Sequence, residues 1–264
     1  MKNSGVVFLV LVLVLCCSGQ SSAQYFSNPG SNVGKKNLVV GVEYSQIMHT
    51  YELDASEVPT SSERIKLRVT AGFADWLDIY IEGGGAGLLL DYKENDADVS
   101  KNFDSDMNAG IGLGARIRLM NFPNSQTRVF LQGGGFYFKT DEVLEYGYAV
   151  DPLTKRRDMK WADMYVGLGI VKTIDFVDVS FGLGFSQIKW WMRDYIEQYD
   201  SATGGTINLK QSWRDSYESP KPVFGFIGLD FILPYEYRVS VQTGLTGMDD
   251  FGFSVSLSQG LEKD

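Results

Sequence analysis

The sequence predicts an all-β fold, a membrane-spanning antiparallel up-and-down β-barrel of about ten strands, with eight or twelve strands as alternatives. Three observations predict it. Apolar residues recur at every second position along most of the chain, which is the period of a strand. Short and long connections alternate between these segments. Beyond the N-terminal region, no segment reaches the roughly 18 consecutive apolar residues of a membrane helix.

The N-terminal region has the composition of a secretory signal peptide. A lysine near the start precedes an apolar core at 6–15 and small residues at 21–23, the order typical of such signals. We therefore expect residues 1–23 to be removed. A lipoprotein signal is the alternative, because Cys16 and Cys17 follow the apolar core. Cleavage leaves an exported chain without cysteine, which excludes disulfides, thiol nucleophiles and cysteine metal sites.

The early strands are predicted from strict alternation. In 62–73, isoleucine, leucine and valine alternate with Arg64, Lys66 and Arg68. The pattern is clearest in 106–119, where one face is entirely apolar and the other is asparagine, glycine and arginine. A helix would scatter these two sets around its circumference, whereas a strand separates them.

The later strands follow the same rule. Phenylalanine, valine and leucine alternate with glycine, serine and aspartate in 176–192, and with glycine and serine in 250–259. Segments 127–140 and 220–232 carry apolar residues on both faces, so their phase is open. The ten predicted strands are 37–51, 62–73, 77–90, 106–119, 127–140, 160–173, 176–192, 220–232, 236–246 and 250–259.

The connections predict the orientation of the barrel. Short connections lie near 74–75, 121–125, 174–175, 233–235 and 247–249, and long polar ones at 52–61, 91–105, 141–159 and 193–219. Outer-membrane barrels have short periplasmic turns and longer outer loops. We therefore expect a periplasmic N-terminal segment at 24–36, a barrel at 37–260 and a C-terminal tail at 261–264.

The two strand faces differ in composition, which predicts which one faces lipid. Glycine packs nothing on an exposed strand face, but small residues make room for large neighbours inside a narrow barrel. Aromatic residues at segment ends also fit interface belts. The predicted belts are Phe73, Trp76, Phe122, Phe176 and Tyr235 below, and Tyr51, Tyr92, Trp161, Trp190 and Trp191 above. A soluble lipocalin-like barrel, with the faces reversed, is the alternative.

The stretch Gly72-Phe73-Ala74-Asp75-Trp76-Leu77-Asp78-Ile79 resembles the strand–turn–strand unit of small bacterial outer-membrane barrels of the opacity-protein and OmpA-barrel kind. The resemblance extends over most of the chain as a pattern. It implies a place in the outer membrane of a Gram-negative cell envelope. The expected partners are outer-membrane lipids, lipopolysaccharide and the outer-membrane assembly machinery. Such barrels usually end on an aromatic residue, whereas residues 260–264 contain none.

Charged residues on the predicted inner face form the main candidate site. Both signs are present, so we predict a neutralising ion-pair network that largely plugs the lumen, with Arg68 opposite Glu82. The alternative is the selectivity lining of a narrow, porin-like pore for small solutes. The candidate residues are Glu43, Arg64, Lys66, Arg68, Asp78, Glu82, Arg116, Arg118, Arg128, Asp163, Asp178, Asp230 and Arg238.

Other constellations carry weaker signals. His49 is the single histidine of the chain, with Ser45 four residues earlier and Glu52 and Asp54 nearby in the sequence. We interpret it as an interfacial or rim histidine, and a rim hydrolase is the less favoured alternative. Acidic residues at 94, 96, 98, 104 and 106 suggest weak divalent-cation binding at the outer loops, although the calcium-loop pattern breaks at Ala109. The basic run at 155–157 is predicted to be a solvated loop, with contact to lipid phosphate as the alternative.

The remaining features exclude other functions. The glycine clusters complete no phosphate-binding motif. The net charge of −9 makes the chain a poor nucleic-acid binder. We therefore expect no nucleic-acid partner, no cofactor and no enzymatic activity. The predicted role is that of an envelope or surface protein with exposed outer loops.

Overall fold

The computed structural model describes Val33 and residues 37–53, 56–90, 103–146, 153–200, 205–218, 223–246 and 250–261. The predicted signal peptide at 1–23 lies outside these residues. The described part contains twelve strands and two short 3-10 turns, at Pro123–Ser125 and Pro234–Glu236. The strands are β1 (Leu38–Leu53), β2 (Ser56–Ala74), β3 (Leu77–Leu90), β4 (Phe103–Asp104), β5 (Asn108–Phe122), β6 (Thr127–Tyr146), β7 (Leu153–Ile174), β8 (Val177–Asp200), β9 (Gly205–Glu218), β10 (Val223–Ile232), β11 (Tyr237–Thr246) and β12 (Asp250–Leu261).

Ten of these strands close into an antiparallel barrel, as predicted. Each pairs with its neighbours in the order β10, β11, β12, β1, β2, β3, β5, β6, β7, β8, and β8 pairs back with β10. Strands β1 and β12 join the two ends of the chain, with Leu38 opposite Leu261. Strand β12 therefore extends one residue past the predicted barrel boundary at 260.

Two strands were not predicted, and three predicted loops are largely strand. Strand β4 pairs with the outer end of β3, and β9 pairs with the outer end of β8. The predicted loop at 52–61 contains the end of β1 and the start of β2, and the one at 141–159 contains the end of β6 and the start of β7. The predicted loop at 193–219 contains the end of β8 and all of β9. Beyond the membrane both faces of a ribbon can be polar, so the alternation that identifies a strand is lost.

The outer extension of the sheet ends in an edge strand. Among the described strands, β9 pairs only with β8. Their pairing is interrupted twice, between Trp190 and Met192 and between Ile196 and Glu197. Such irregularities bend and twist a strand locally.

The barrel is apolar outside, and its interior holds many buried polar and charged side chains beside apolar ones. Leu113 and Leu183 point outward and are 69% and 68% exposed, whereas the inward side chains of Gln132 and Ser186 are fully buried. This distribution is the reverse of that in a protein folded in water. A closed barrel satisfies its backbone hydrogen bonds between strands, which lets an apolar exterior lie in lipid. The described residues include no helix long and apolar enough to cross a membrane.

The lower aromatic belt is as predicted, but the upper belt is partly wrong. Phe73, Trp76, Phe122, Phe176 and Tyr235 are all exposed. At the outer end, Trp191 is 38% exposed, whereas Trp161 and Trp190 are each 1% exposed and lie inside the barrel. Adjacent residues of a strand point to opposite faces, so Trp190 and Trp191 cannot both face lipid. The side chains of the other predicted members, Tyr51 and Tyr92, lie outside the description.

Candidate functional site in the barrel interior

Four charged residues on three adjacent strands form a cluster in the middle of the barrel. Lys66 Nζ lies 2.8 Å from Glu43 Oε1 and 3.6 Å from Glu82 Oε1. Arg68 Nη2 lies 2.5 Å from Glu82 Oε2 and 3.6 Å from Glu43 Oε2. The predicted pairing of Arg68 opposite Glu82 is confirmed by the register of β2 and β3. Two cations and two anions neutralise one another, which lowers the cost of burying them.

A second ion pair crosses the lumen. Arg64 on β2 forms an ion pair with Asp163 on β7, and β2 and β7 are not neighbours in the sheet. The Arg64 guanidinium also lies over the rings of Phe136 and Phe138, with its Cζ 5.1 Å and 5.6 Å from the ring centres. Asp163 accepts a hydrogen bond from the Phe136 backbone at 3.1 Å. These contacts tie opposite walls of the barrel together.

Two tyrosines bridge the lumen beside the charged cluster. The hydroxyl oxygens of Tyr80 on β3 and Tyr165 on β7 are 2.5 Å apart, and Arg68 lies over the Tyr80 ring at 4.4 Å. A Cβ atom on Gly114 or Gly134 would overlap the Tyr80 hydroxyl. These inward glycines therefore make room for a large side chain, as composition led us to expect.

Apolar side chains fill much of the remaining interior. Part of this packing has a signal in the sequence, because segments 127–140 and 220–232 carry apolar residues on both faces. A smaller cluster lies on the β6, β7 and β10 walls: Phe130, Val171, Phe224 and Phe226, with Tyr165 against it. A larger cluster fills the outer half: Val58, Ala86, Leu88, Leu90, Phe136, Phe138, Met159, Trp161, Ile188, Trp190 and Met192.

The end of the barrel that carries the short turns has a further group of charges around Asp178. Its carboxylate lies 3.0 Å from Arg128 Nη2 and 3.4 Å from Arg238 Nη1, and Thr173 donates a hydrogen bond to it at 2.5 Å. Asp230 is directly opposite Asp178 in the β8–β10 register. The side chains of Arg128 and Arg238 are 23% and 26% exposed, so this end is the more open one.

The other predicted charges lie on the facing wall. Asp78 and Arg116 are opposite each other on β3 and β5, and Arg116 donates to Gln132 Oε1 at 3.1 Å. The Val33 backbone N–H donates to Asp78 Oδ2 at 3.4 Å. Arg118 does not join the ion pairs, because its guanidinium donates to the Asp75 carbonyl in the turn.

A polar cavity of about 410 Å³ occupies the mouth of the barrel at the short-turn end. It lies beside the Asp178 group, and its lining includes Val33, Asn37, Glu236, Arg238 and Ser258. Exposure of the inward side chains falls beyond it, from 26% at Arg238 to 3% at Glu43. The cavity is thus a vestibule at this end of the lumen, and its lining includes no residue of the charged cluster.

A buried ion pair joins β7 and β8 at the outer end of the barrel. It shows that the prediction of a solvated loop at 155–157 was wrong. Arg157 Nε and Nη2 donate to the two carboxylate oxygens of Asp194 at 2.7 Å and 2.9 Å. Both side chains are buried inside the extension of the sheet. The basic run at 155–157 was expected in a solvated loop, but it lies in β7 and only Arg156 of the two described side chains faces solvent. The Lys155 side chain lies outside the description.

His49 and the acidic residues were weaker candidates. His49 faces inward and is 3% exposed, and Ser45 on the same face is fully buried, so neither lies at an open rim. Asp104 and Asp106 are exposed, and the Asp104 backbone N–H donates to Glu142 at 2.8 Å. Residues 94, 96 and 98, together with the side chains of Glu52 and Asp54, lie outside the described part.

Several solved structures are similar to this chain, all at low identity. The translocator domain of the autotransporter NalP from Neisseria meningitidis has a TM-score of 0.46 and 10% identity, over 99% of this chain and 95% of that one. The outer membrane protease OmpT from Escherichia coli has a TM-score of 0.44 and 10% identity, over 89% and 98%. The outer membrane protein OprG from Pseudomonas aeruginosa has a TM-score of 0.34 and 10% identity, over 88% and 100%. No family model matches the sequence, and no curated protein matches it.

These similarities add nothing to what the strand pairings and the distribution of side chains establish. The sheet closes on itself, its exterior is apolar, and its interior is filled by ion pairs and aromatic rings. The connections at one end are short turns, at Ala74–Leu77 and Ile174–Val177. The chain therefore has the fold of the small outer-membrane β-barrels.

Proposed function

We propose that the protein is a non-enzymatic integral outer-membrane protein of the cell envelope, with a closed lumen and with its outer strands and loops as the contact surface. The single observation that carries this proposal is that side chains bridge the lumen between β2 or β3 and β7. Tyr80 meets Tyr165, and Arg64 meets Asp163. An apolar cluster lies outside them. Polar bridges followed by a packed apolar cluster are a poor path for water and ions.

The extension of the sheet supports the assignment of the contact surface. Strands β6, β7 and β8 span 20, 22 and 24 residues, whereas about 9–11 residues suffice to cross a membrane in a barrel. The excess, with β9, projects beyond the outer side of the membrane. The burial of His49 supports the absence of hydrolytic chemistry at the rim, since a general base must reach its substrate.

Cell fractionation tests the location. We expect the mature protein in the outer-membrane fraction, and we expect unboiled samples to migrate differently from boiled ones in detergent gels, because a closed barrel resists unfolding by detergent at room temperature. Recovery from the periplasm without detergent would contradict an integral membrane protein.

Conductance in a planar bilayer tests the closed lumen. We expect no steady conductance from the unmodified protein, with a known general porin as positive control for insertion. A steady conductance would replace the closed barrel with the alternative function, a narrow pore for small solutes.

A further inference from the structure

The turn between β10 and β11 has a strained backbone. A hydrogen bond of 2.8 Å from the Leu233 N–H to the Tyr237 carbonyl oxygen closes this turn. Inside it, Tyr235 and Glu236 have φ angles of 61° and 59°. Within the part of the chain that the structure describes, no other two consecutive non-glycine residues have positive φ. Residues with a side chain seldom adopt this conformation, and such strain is concentrated at functional sites.

The strained turn places the Glu236 carboxylate at the vestibule. Glu236 is part of the vestibule lining. A Cβ atom on Gly260 would overlap its carboxylate, so the carboxylate lies against the bare backbone of β12. Glu236 makes no ion pair with any residue in the described ranges. An unstrained turn would expose a glutamate to water equally well, so the strain fixes the position of this charge.

A positive charge lines the same vestibule two residues farther along the chain. Arg238 forms one ion pair within the described part, and its Nη1 lies 3.4 Å from Asp178 Oδ2. Asp178 is closer to Arg128, at 3.0 Å. The Arg238 side chain is 26% exposed, and a guanidinium has several N–H donors. Arg238 therefore keeps donors for a second anion, while Asp230 behind it is 1% exposed and is not part of the lining.

The size of the vestibule and the spacing of its charges limit the ligand. Its volume of about 410 Å³ is within the usual range of small-molecule sites, roughly 300–1,000 Å³. Glu236 and Arg238 are two residues apart, which corresponds to roughly 7 Å or less. The charged ends of a dipeptide are about as far apart. Asn37 and Ser258 also line the vestibule, and side chains of these types hydrogen-bond to peptide groups.

We propose that the vestibule binds a short zwitterionic peptide of about two residues. Glu236 accepts hydrogen bonds from its ammonium group, and Arg238 donates to its carboxylate. Hydrogen bonds between charged groups are stronger than neutral ones, so the ligand needs both of its charged ends. This inference goes beyond the proposed function. It rests on that proposal only for the compartment, since short turns in the periplasm would admit the peptide from there.

Saturation-transfer NMR titration of the purified mature protein in detergent micelles tests the site, with L-alanyl-L-alanine as the probe. We expect saturable binding. Glu236→Gln and Arg238→Gln should each weaken it about tenfold, because each removes a charged hydrogen-bonding partner. Glu63→Gln is the matched control, since Glu63 is an exposed glutamate outside the vestibule, and it should bind like the unmodified protein. Absence of saturable binding to the unmodified protein would overturn the proposal.

Two analogues of the probe assign the charges without relying on the stability of any variant. N-acetyl-alanyl-alanine lacks the ammonium group, and alanyl-alanine amide lacks the carboxylate. We expect each to bind the unmodified protein about tenfold more weakly than the dipeptide. Glu236→Gln should weaken binding of the amide and leave that of the N-acetyl analogue unchanged, and Arg238→Gln should do the reverse. Equal affinity of the unmodified protein for all three compounds would overturn the zwitterionic site.

The position of the carboxylate has its own variant. Gly260→Ala displaces the Glu236 carboxylate and leaves both charges in place, and we expect it to weaken dipeptide binding several-fold with unchanged gel mobility. Gly225→Ala is the control, because the nearest atom to a Cβ there is 3.7 Å away. Equal binding by the two alanine variants would remove the contact with Gly260 from the site. The titration uses micelles, so a protein that binds the dipeptide but fractionates elsewhere would lose the proposed location and keep the site.

Discussion

Glu82 neutralises two cations in an interior that holds little water. It pairs with Arg68 at 2.5 Å and lies 3.6 Å from Lys66. Its own side chain is only 4% exposed. Removing one partner of a buried pair leaves a poorly solvated charge, which costs more than the pair itself contributes.

We therefore expect Glu82→Ala to lower the free energy of unfolding by about 3–5 kcal/mol, measured by urea titration with gel mobility as the readout. The double variant Arg68→Ala, Glu82→Ala should recover part of this loss, because Lys66 and Glu43 remain as a balanced pair at 2.8 Å. Asp141→Ala, which breaks the exposed pair with Arg156, is the control and should cost below about 1 kcal/mol. If the double variant lost as much unfolding free energy as the Arg68→Ala and Glu82→Ala variants together, the two side chains would not be coupled.

The inward glycines have no room for a larger residue, because side chains from other strands lie against them. A Cβ on Gly114 would overlap the Tyr80 hydroxyl and lie 2.5 Å from the Gly133 carbonyl oxygen. Gly83 on the lipid-facing side has no atom within 3.8 Å of such a Cβ. Overpacking a filled interior typically costs about 1–3 kcal/mol.

From this contrast we expect Gly114→Ala to destabilise the barrel by about 1–3 kcal/mol, and Gly83→Ala to have less than half that effect, in the same urea titration. Equal midpoints for the two variants would mean that Tyr80 moves aside freely and does not hold the bridge to Tyr165.

At the scale of the strands, alternation predicted the barrel because lipid on one side and a narrow lumen on the other impose opposite chemistry on successive residues. Strands β2, β3 and β5 were predicted to within a few residues at most ends. Alternation identifies the faces of a strand less clearly where both faces are apolar. This is the case in β6 and β10, because Phe130, Phe136, Phe224 and Phe226 point inward. Alternation is also weak beyond the membrane, where β9 was not predicted.

The interior was predictable in part for a related reason. Charged residues on an otherwise apolar strand mark its inner face, so all thirteen candidates could be chosen from the sequence, and the Arg68–Glu82 register followed from a short turn. The bridge between Tyr80 and Tyr165 joins strands 85 residues apart in the sequence. No local pattern encodes such a contact, because it depends on barrel diameter and stagger.

The orientation of the strands can be measured directly, because the mature chain is expected to lack cysteine. We expect a membrane-impermeant maleimide to label Asp141→Cys on intact cells, since Asp141 is exposed on the outer extension of β6. Asp75→Cys, in the short turn between β2 and β3, should react only after permeabilisation. The reverse pattern would invert the barrel in the membrane.

For the molecule as a whole, the proposed closure of the lumen has two different barriers in series. The inner barrier consists of hydrogen-bonded and charged bridges, including Tyr80–Tyr165. The outer barrier is a buried apolar cluster that includes Trp161 and Trp190, each 1% exposed. A hydrophobic constriction blocks ions by excluding water, whatever lies beneath it.

We expect Tyr80→Ala alone to remain silent in planar bilayers, because the outer cluster still excludes water. Adding Trp161→Ala and Trp190→Ala should produce measurable conductance. Gel mobility of each variant checks that the barrel is folded before it is recorded. Steady conductance from Tyr80→Ala alone would mean that the outer cluster is not a barrier.

The two interruptions in the pairing of β9 with β8 have a consequence for crowded membranes. A long, flat sheet edge standing above the bilayer would be a template for the same edge of the next molecule. Irregular pairing twists β9 away from the straight form that such zippering requires. We therefore expect neighbouring barrels at high surface density to diffuse as separate particles, without polymerising through these ribbons.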